Sequence, residues 1–258
     1  MGRIGARTAR QRRVRLKRKC YNRLAYIAMT CVVLQPSYIP WRGYFHQIQK
    51  ADVFVFYDDV QYDKHGWRNR NRIKTSQGPQ WLTIPVNKKG NVASKRAIQE
   101  VEISWQRPWN KDHLLTLRHA YRQAPFFSEW EPVLTAAYSQ EPTHLAPFVM
   151  DLTIELARRM GLTRTVFLRS SELSIEGERS ERLVNIVKHL GCDRYVTGPA
   201  AKDYIDADQF TRAGIDLIYM NYDYPEYPQL YPPFDHHVSV IDLILNTGPD
   251  ALSYLVSA

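Results

Sequence analysis

The stretch Thr30–Asp59, TCVVLQPSYIPWRGYFHQIQKADVFVFYDD, decides the fold. Thr30–Leu34 is a short apolar run, the pattern of a strand buried on both faces. Gln35-Pro36 ends it, and Pro36 and Pro40 bracket a rigid turn. Gly43–Lys50 then reads as a helix, and Val53–Tyr57 as a second buried strand running into Asp58-Asp59. Strand, helix and strand in that order make a parallel pair, because parallel neighbours need a crossover rather than a hairpin.

Working outward, Trp81–Val86 and Val101–Ser104 read as further strands. From about residue 110 to 160 the period becomes helical: Leu114, Leu117, Tyr121 and Ala124 recur on one face, as do Phe148, Leu152, Leu156 and Met160. Gly161 suits a helix end. A second strand–helix–strand stretch follows in Thr165–Leu168, Leu183–Leu190 and Arg194–Thr197, with Leu217–Met220 as a last strand and Ser239–Asn246 as a closing helix. The expectation is an α/β protein with a mostly parallel open sheet, Rossmann-like or nucleotidyltransferase-like, interrupted by a helical insertion at about 108–161.

Charge divides the chain of 258 residues, whose formal balance is +9. Ten of its 35 basic residues fall in the first 28 positions and none of its 26 acidic ones does, so the rest holds 25 basic against 26 acidic. Residues 1–28 are expected to be a disordered basic tail, and 29–258 the folded domain. Met29 offers a second start, so the tail reads as an extended frame, an RNA-binding arm or an address segment. The near-neutral body argues against nucleic acid as the partner of the folded domain. Three cysteines are too few for a disulfide framework, and no apolar run reaches membrane-spanning length, so a cytoplasmic location is expected.

Candidate chemistry gathers where strands end, since ligands of open parallel sheets bind at the carboxyl edge. After the first strand, Gln35 offers an amide and Tyr38 a phenol, beside a helix start with free N–H groups. After the second come Asp58, Asp59 and Gln61, then Arg68-Asn69-Arg70-Asn71-Arg72, whose arginines share one face if extended and could grip a phosphate or carboxylate. His113 stands at a helix start, which favours a neutral, basic imidazole. Gly198 and Tyr204 follow a later strand; the glycine would admit a ligand to the backbone. His113 and Asp59 are the catalytic candidates; Gln35, Tyr38, Asp58, Gln61, Asn69, Arg70, Gly198 and Tyr204 are the substrate-binding ones. No metal is expected, because neighbouring His236 and His237 point apart in an extended chain, and no cofactor motif is evident.

The ordered series Gln35–Phe45, Ala51–Gln61, Asn69-Arg70, Trp81–Val86, Ala124–Phe127, Tyr195–Tyr204 and Ser239–Gly248 resembles the WbqC-like family of bacterial proteins, from about Cys31 to the C-terminus. That resemblance implies a role in surface-polysaccharide biosynthesis, including O-antigen, in which an acyl or aminoacyl group is transferred to an amino sugar. The partners it implies are a small-molecule substrate such as a nucleotide sugar, and an acyl-carrier protein. Two further readings stay open: a nucleotide-binding transferase, against which the missing HxGH-type motif counts, and a non-catalytic binding or assembly protein.

Overall fold

The structure is a computed structural model that describes residues 28–64, 66–87 and 96–256. The expected tail therefore lies outside the described residues except for Ala28. Strands β1 (Thr30–Leu34) and β2 (Val53–Phe56) flank helix α1 (Arg42–Lys50), and run parallel in register from Cys31↔Val53 to Leu34↔Phe56. A separate antiparallel hairpin follows, β3 (Arg70–Thr75) and β4 (Gly78–Thr83). Helices α2 (Trp109–Tyr121), α3 (Phe127–Tyr138) and α4 (Leu145–Arg159) come next. The chain then alternates β5 (Val166–Arg169), α5 (Arg179–Leu190), β6 (Arg194–Thr197), α6 (Ala207–Arg212) and β7 (Asp216–Tyr219), and ends on α7 (Val240–Thr247) and a 3-10 segment.

The five-stranded sheet is wholly parallel, in the order β5-β2-β1-β6-β7. Successive residues of each strand point to opposite faces, and both faces of β1 and β2 are covered, which is why these two strands are almost continuously apolar. Val32, Phe54, Phe56, Phe167 and Val196 pack toward α1, α7 and the helices of the long crossover. Cys31, Val33, Val53, Val55, Leu168 and Tyr195 pack against Leu183, Ile186 and Val187 of α5 and Phe210 of α6. All of α7 is buried, and the Ser239 hydroxyl accepts from Ile241 N–H at 3.1 Å to cap it.

Two strand boundaries differ from expectation. Val101–Ser104 is not a strand: Glu102 bridges His144 while Ile103 bridges Val86, so two different segments share its backbone and no ladder forms. Val101 and Ile103 are still buried in the helical core. Of the run expected at Trp81–Val86 only Trp81–Thr83 is strand, in a β4 that begins at Gly78, because Gly78 takes a φ of +99° and closes the hairpin opposite Thr75.

The sheet order carries the functional consequence. The chain builds outward from β1 through β2 to β5, then returns past β1 to lay down β6 and β7. At that reversal, β1 and β6 pair only through Thr30↔Arg194 and Cys31↔Tyr195. Their carboxyl ends part, whereas β1–β2 and β6–β7 stay paired to Phe56 and Tyr219. Crossover connections leave such a reversal from opposite sides of the sheet and open a crevice there.

Candidate functional site

A cleft of about 610 Å³ occupies this crevice. Val33, Leu34 and Gln35 of the β1 end form one wall, and Tyr195 and Thr197 of β6 the other. Trp41, Tyr44 and Gln47 enter from the turn and α1, Trp67, Arg68 and Asn71 from the segment entering the hairpin, and Tyr204 and His237 from later loops. The size suits a small molecule, and aromatic walls with a few polar groups are the usual make-up of such sites. No Asp or Glu is among the described residues that line it.

Local hydrogen bonds hold this wall in place. The Asn71 amide donates to the carbonyls of Tyr38 (3.2 Å) and Ile39 (2.9 Å), clasping a turn in which Ile39 sits at a φ of +35°. Tyr38 N–H donates to the Trp67 carbonyl at 3.1 Å and the Arg68 guanidinium to the Pro36 carbonyl at 3.3 Å, so the hairpin approach lies on the β1–α1 turn. The Tyr44 hydroxyl donates to the Gln35 carbonyl at 3.1 Å. Gly43 leaves room for the Trp41 indole, which stands 2.3 Å from where a Cβ would be. The start of α1 is thus partly covered by its own tryptophan.

Arg42 is buried under the loop that follows β7. Its guanidinium donates to the Pro225 carbonyl at 2.8 Å and lies 4.7 Å from the centre of the Tyr224 ring. The anchored loop delivers the Tyr222 hydroxyl to Gln47, whose amide nitrogen donates to it at 2.7 Å. Gln47 is only 4% exposed, and its Oε1 has no partner in the protein. Turning the amide over would give Tyr222 to the oxygen and orphan the nitrogen instead, so one polar atom is unpaired either way. Arg68 Nε is likewise buried without a hydrogen bond. Each such atom costs ~1–3 kcal/mol until a ligand or water meets it. Burial draws the Arg68 guanidinium below its ordinary value, against the pull of Asp63.

Of the residues singled out from sequence, Gln35 and Tyr204 line the cleft. Asp58 is fully buried, accepting from the Arg169 guanidinium (2.9 Å) and from Ser171 N–H (3.1 Å) and hydroxyl (2.9 Å), which ties the β2 and β5 ends together. Asp59 accepts from the Ser170 hydroxyl at 2.6 Å and is ion-paired with Arg182. Gln61 bridges Ala97, and the buried Asn69 amide donates to the Ile84 carbonyl at 2.8 Å. Arg70 lies over Trp81, 4.6 Å from the ring centre.

Tyr38 and His113 are buried together away from the cleft lining. The Tyr38 hydroxyl meets His113 Nδ1 at 2.8 Å and the Tyr138 hydroxyl. Burial pulls the His113 imidazole down to about 4, with a backbone hydrogen bond at Thr83 working the other way. The close approach that Gly198 permits is taken by Tyr222, whose hydroxyl sits 3.0 Å from a Cβ at that position.

The sequence leaves Trp41, Tyr44, Tyr195 and Thr197 inside longer motifs with no site role of their own, and singles out neither Gln47 nor Tyr222 behind it. Gln47 did carry a signal: an amide at i+3 from Tyr44, which puts it on the same helix face as that ring.

A family model described as the WbqC-like protein family matches residues 35–254. The chain belongs to the WbqC-like family. The match begins at Gln35 in the cleft wall, and of the residues lining the cleft it leaves out only Val33 and Leu34. A relative named "Uncharacterized protein Rv1507c", from Mycobacterium tuberculosis, is 39% identical over 225 residues, covering 86% of this chain and 96% of the relative. No solved structure matches. Among the described residues no helix is long and apolar enough to cross a membrane, and no cluster of His, Cys, Asp and Glu could hold a metal ion.

Proposed function

We propose that this WbqC-like chain is a biosynthetic transferase that forms an amide on a nucleotide-linked amino sugar held in the switch-point cleft. The acyl or aminoacyl group comes from a carrier-bound thioester. The observation that carries this proposal is the cleft itself: a crevice at the β1/β6 reversal, with no carboxylate among the described residues that line it and with polar atoms on Gln47 and Arg68 that make no hydrogen bond. Gln47 Oε1 suits an N–H of the acceptor amine, and Arg68 suits its phosphate.

The amine lone pair attacks the acyl carbon, the C–N bond forms, and the C–S bond breaks. The sulfur leaves as thiolate and takes up the proton that the nitrogen loses. His237, the imidazole among the lining residues, is the assigned carrier of that proton. Asp59, held by Arg182, and His113, buried beside Tyr38, are outside the lining, and no proton is routed through them.

Incubating the chain with aminoacyl or acyl thioesters and a panel of nucleotide-linked amino sugars tests the proposal. Mass spectrometry should find the acceptor heavier by one acyl group, with the yield reduced in Gln47→Leu. A full panel without amide product refutes it.

A further inference from the structure

Two tryptophans stand exposed at the mouth of the cleft. Trp67 and Trp81 are each 44% exposed, and their rings stack at 5.4 Å with 27° between planes. Trp67 lines the cleft; Trp81 does not. Arg72 faces Trp81 across the hairpin, and the Arg70 and Arg72 guanidinium groups lie 4.6 and 5.8 Å from the centre of its ring. Trp81 is thereby fixed by the hairpin, and Trp67 rests on it.

Stacking and the two arginines cover part of these rings, yet each keeps 44% of its surface in water. The arrangement does have a recognition use. Trp67 has one face supported and its backbone pinned to the β1–α1 turn through Tyr38 N–H. Its ring is therefore preorganised, at a fixed position beside the sheet reversal, with the cleft side left for a ligand.

The next residue supplies the complementary charge. Arg68 lines the same cleft, is fixed by Pro36, and carries an Nε that is ion-paired with Asp63 but makes no hydrogen bond. Asp63 is 3.8 Å from that nitrogen, beyond hydrogen-bond reach, with a half-exposed side chain. A ring platform and a cation on consecutive residues match a ligand whose planar ring and anionic group are close together.

We propose that the cleft mouth is a nucleoside-diphosphate subsite, in which the base stacks on Trp67 and the phosphates meet Arg68. This deepens the function proposed above, resting on the cleft as the ligand site and not on the amide chemistry. The nucleotide end would then lie at the mouth, directing the sugar amine inward to Gln47. The platform is formed by a supported aromatic face and not by hydrogen-bond donors, so it should tolerate different bases.

Calorimetric titration of the full chain with UDP, and separately with inorganic pyrophosphate, tests the subsite. Trp67→Ala should weaken UDP binding about tenfold, the range of base–aromatic stacking. It should leave pyrophosphate binding unchanged, and Trp67→Phe, which keeps a ring, should restore most of the UDP affinity. Arg68→Gln should weaken both ligands. The inference is overturned if the native chain does not bind UDP at millimolar concentration, or if Trp67→Ala binds UDP as the native chain does. It is also overturned if Trp67→Ala loses pyrophosphate too, or if Trp67→Phe is as weak as Trp67→Ala. A chain that binds UDP through Trp67 but makes no amide keeps this subsite and refutes only the transfer chemistry. One that acylates a nucleotide-free amino sugar and ignores UDP does the reverse.

Discussion

His113 offers the sharpest test of the packing. Its imidazole is buried between Tyr38, Tyr138 and Trp109, and is held neutral down to about pH 4. In the unfolded chain a histidine takes up its proton near ~6.5. Because the folded value is the lower one, the unfolded chain binds the proton first as pH falls. The contribution of His113 to stability is therefore full above ~6.5 and is lost as pH drops toward the folded value. Between about pH 7 and about pH 4.5 the loss from this one group is about 2.5 kcal/mol.

His113→Gln keeps a donor and an acceptor but cannot titrate. Urea unfolding followed by tryptophan fluorescence, at the two pH values, should show the variant losing about 2.5 kcal/mol less than the native chain. His46, also drawn to about 4 by burial and by Lys50, is present in both proteins and cancels in the difference. Equal losses in the two proteins would mean that His113 meets solvent, and the buried tyrosine–histidine arrangement would be wrong. Loss of amide formation in a variant with unchanged acid stability would instead return His113 to the catalytic machinery.

Other expectations follow from single contacts. Asn71→Ala removes both bonds that clasp the Tyr38–Ile39 turn and should destabilise the chain by about 2 kcal/mol, read by urea unfolding. Gly198→Ala forces the Tyr222 hydroxyl away from a Cβ only 3.0 Å distant, and calorimetry should show weaker cleft ligand binding with a stability loss under about 1 kcal/mol. Gln47→Leu removes an orphaned oxygen together with the bond to Tyr222, effects of opposite sign and similar size, so its thermal midpoint should stay near that of the native chain while acceptor binding falls about tenfold.

The strands were legible because a parallel sheet covered on both faces needs continuous apolar runs, and TCVVL and VFVFY could serve few other purposes. The helical stretch was legible from its period, and α7 from Ser239 and the apolar run after it. The candidate site was read less completely. Tyr38 and Asp58 follow strands as a ligand group would, yet the first is bonded to His113 and the second to the β5 end. A polar residue at a strand end can serve a ligand or stitch two loops together, and its chemistry is the same in both uses. Only the identity of its neighbour separates them.

Local sequence determined the α/β class, the βαβ pairing of β1 with β2, and the confinement of the excess positive charge to the first 28 residues, because each depends on residues close along the chain. The tertiary structure alone decided that β6 returns to the far side of β1 and that the two strands part after Cys31 and Tyr195. No residue in either strand encodes that separation. It results from crossovers leaving on opposite faces, and it brings Gln47, Trp67-Arg68 and Thr197, from three distant segments, to one cleft.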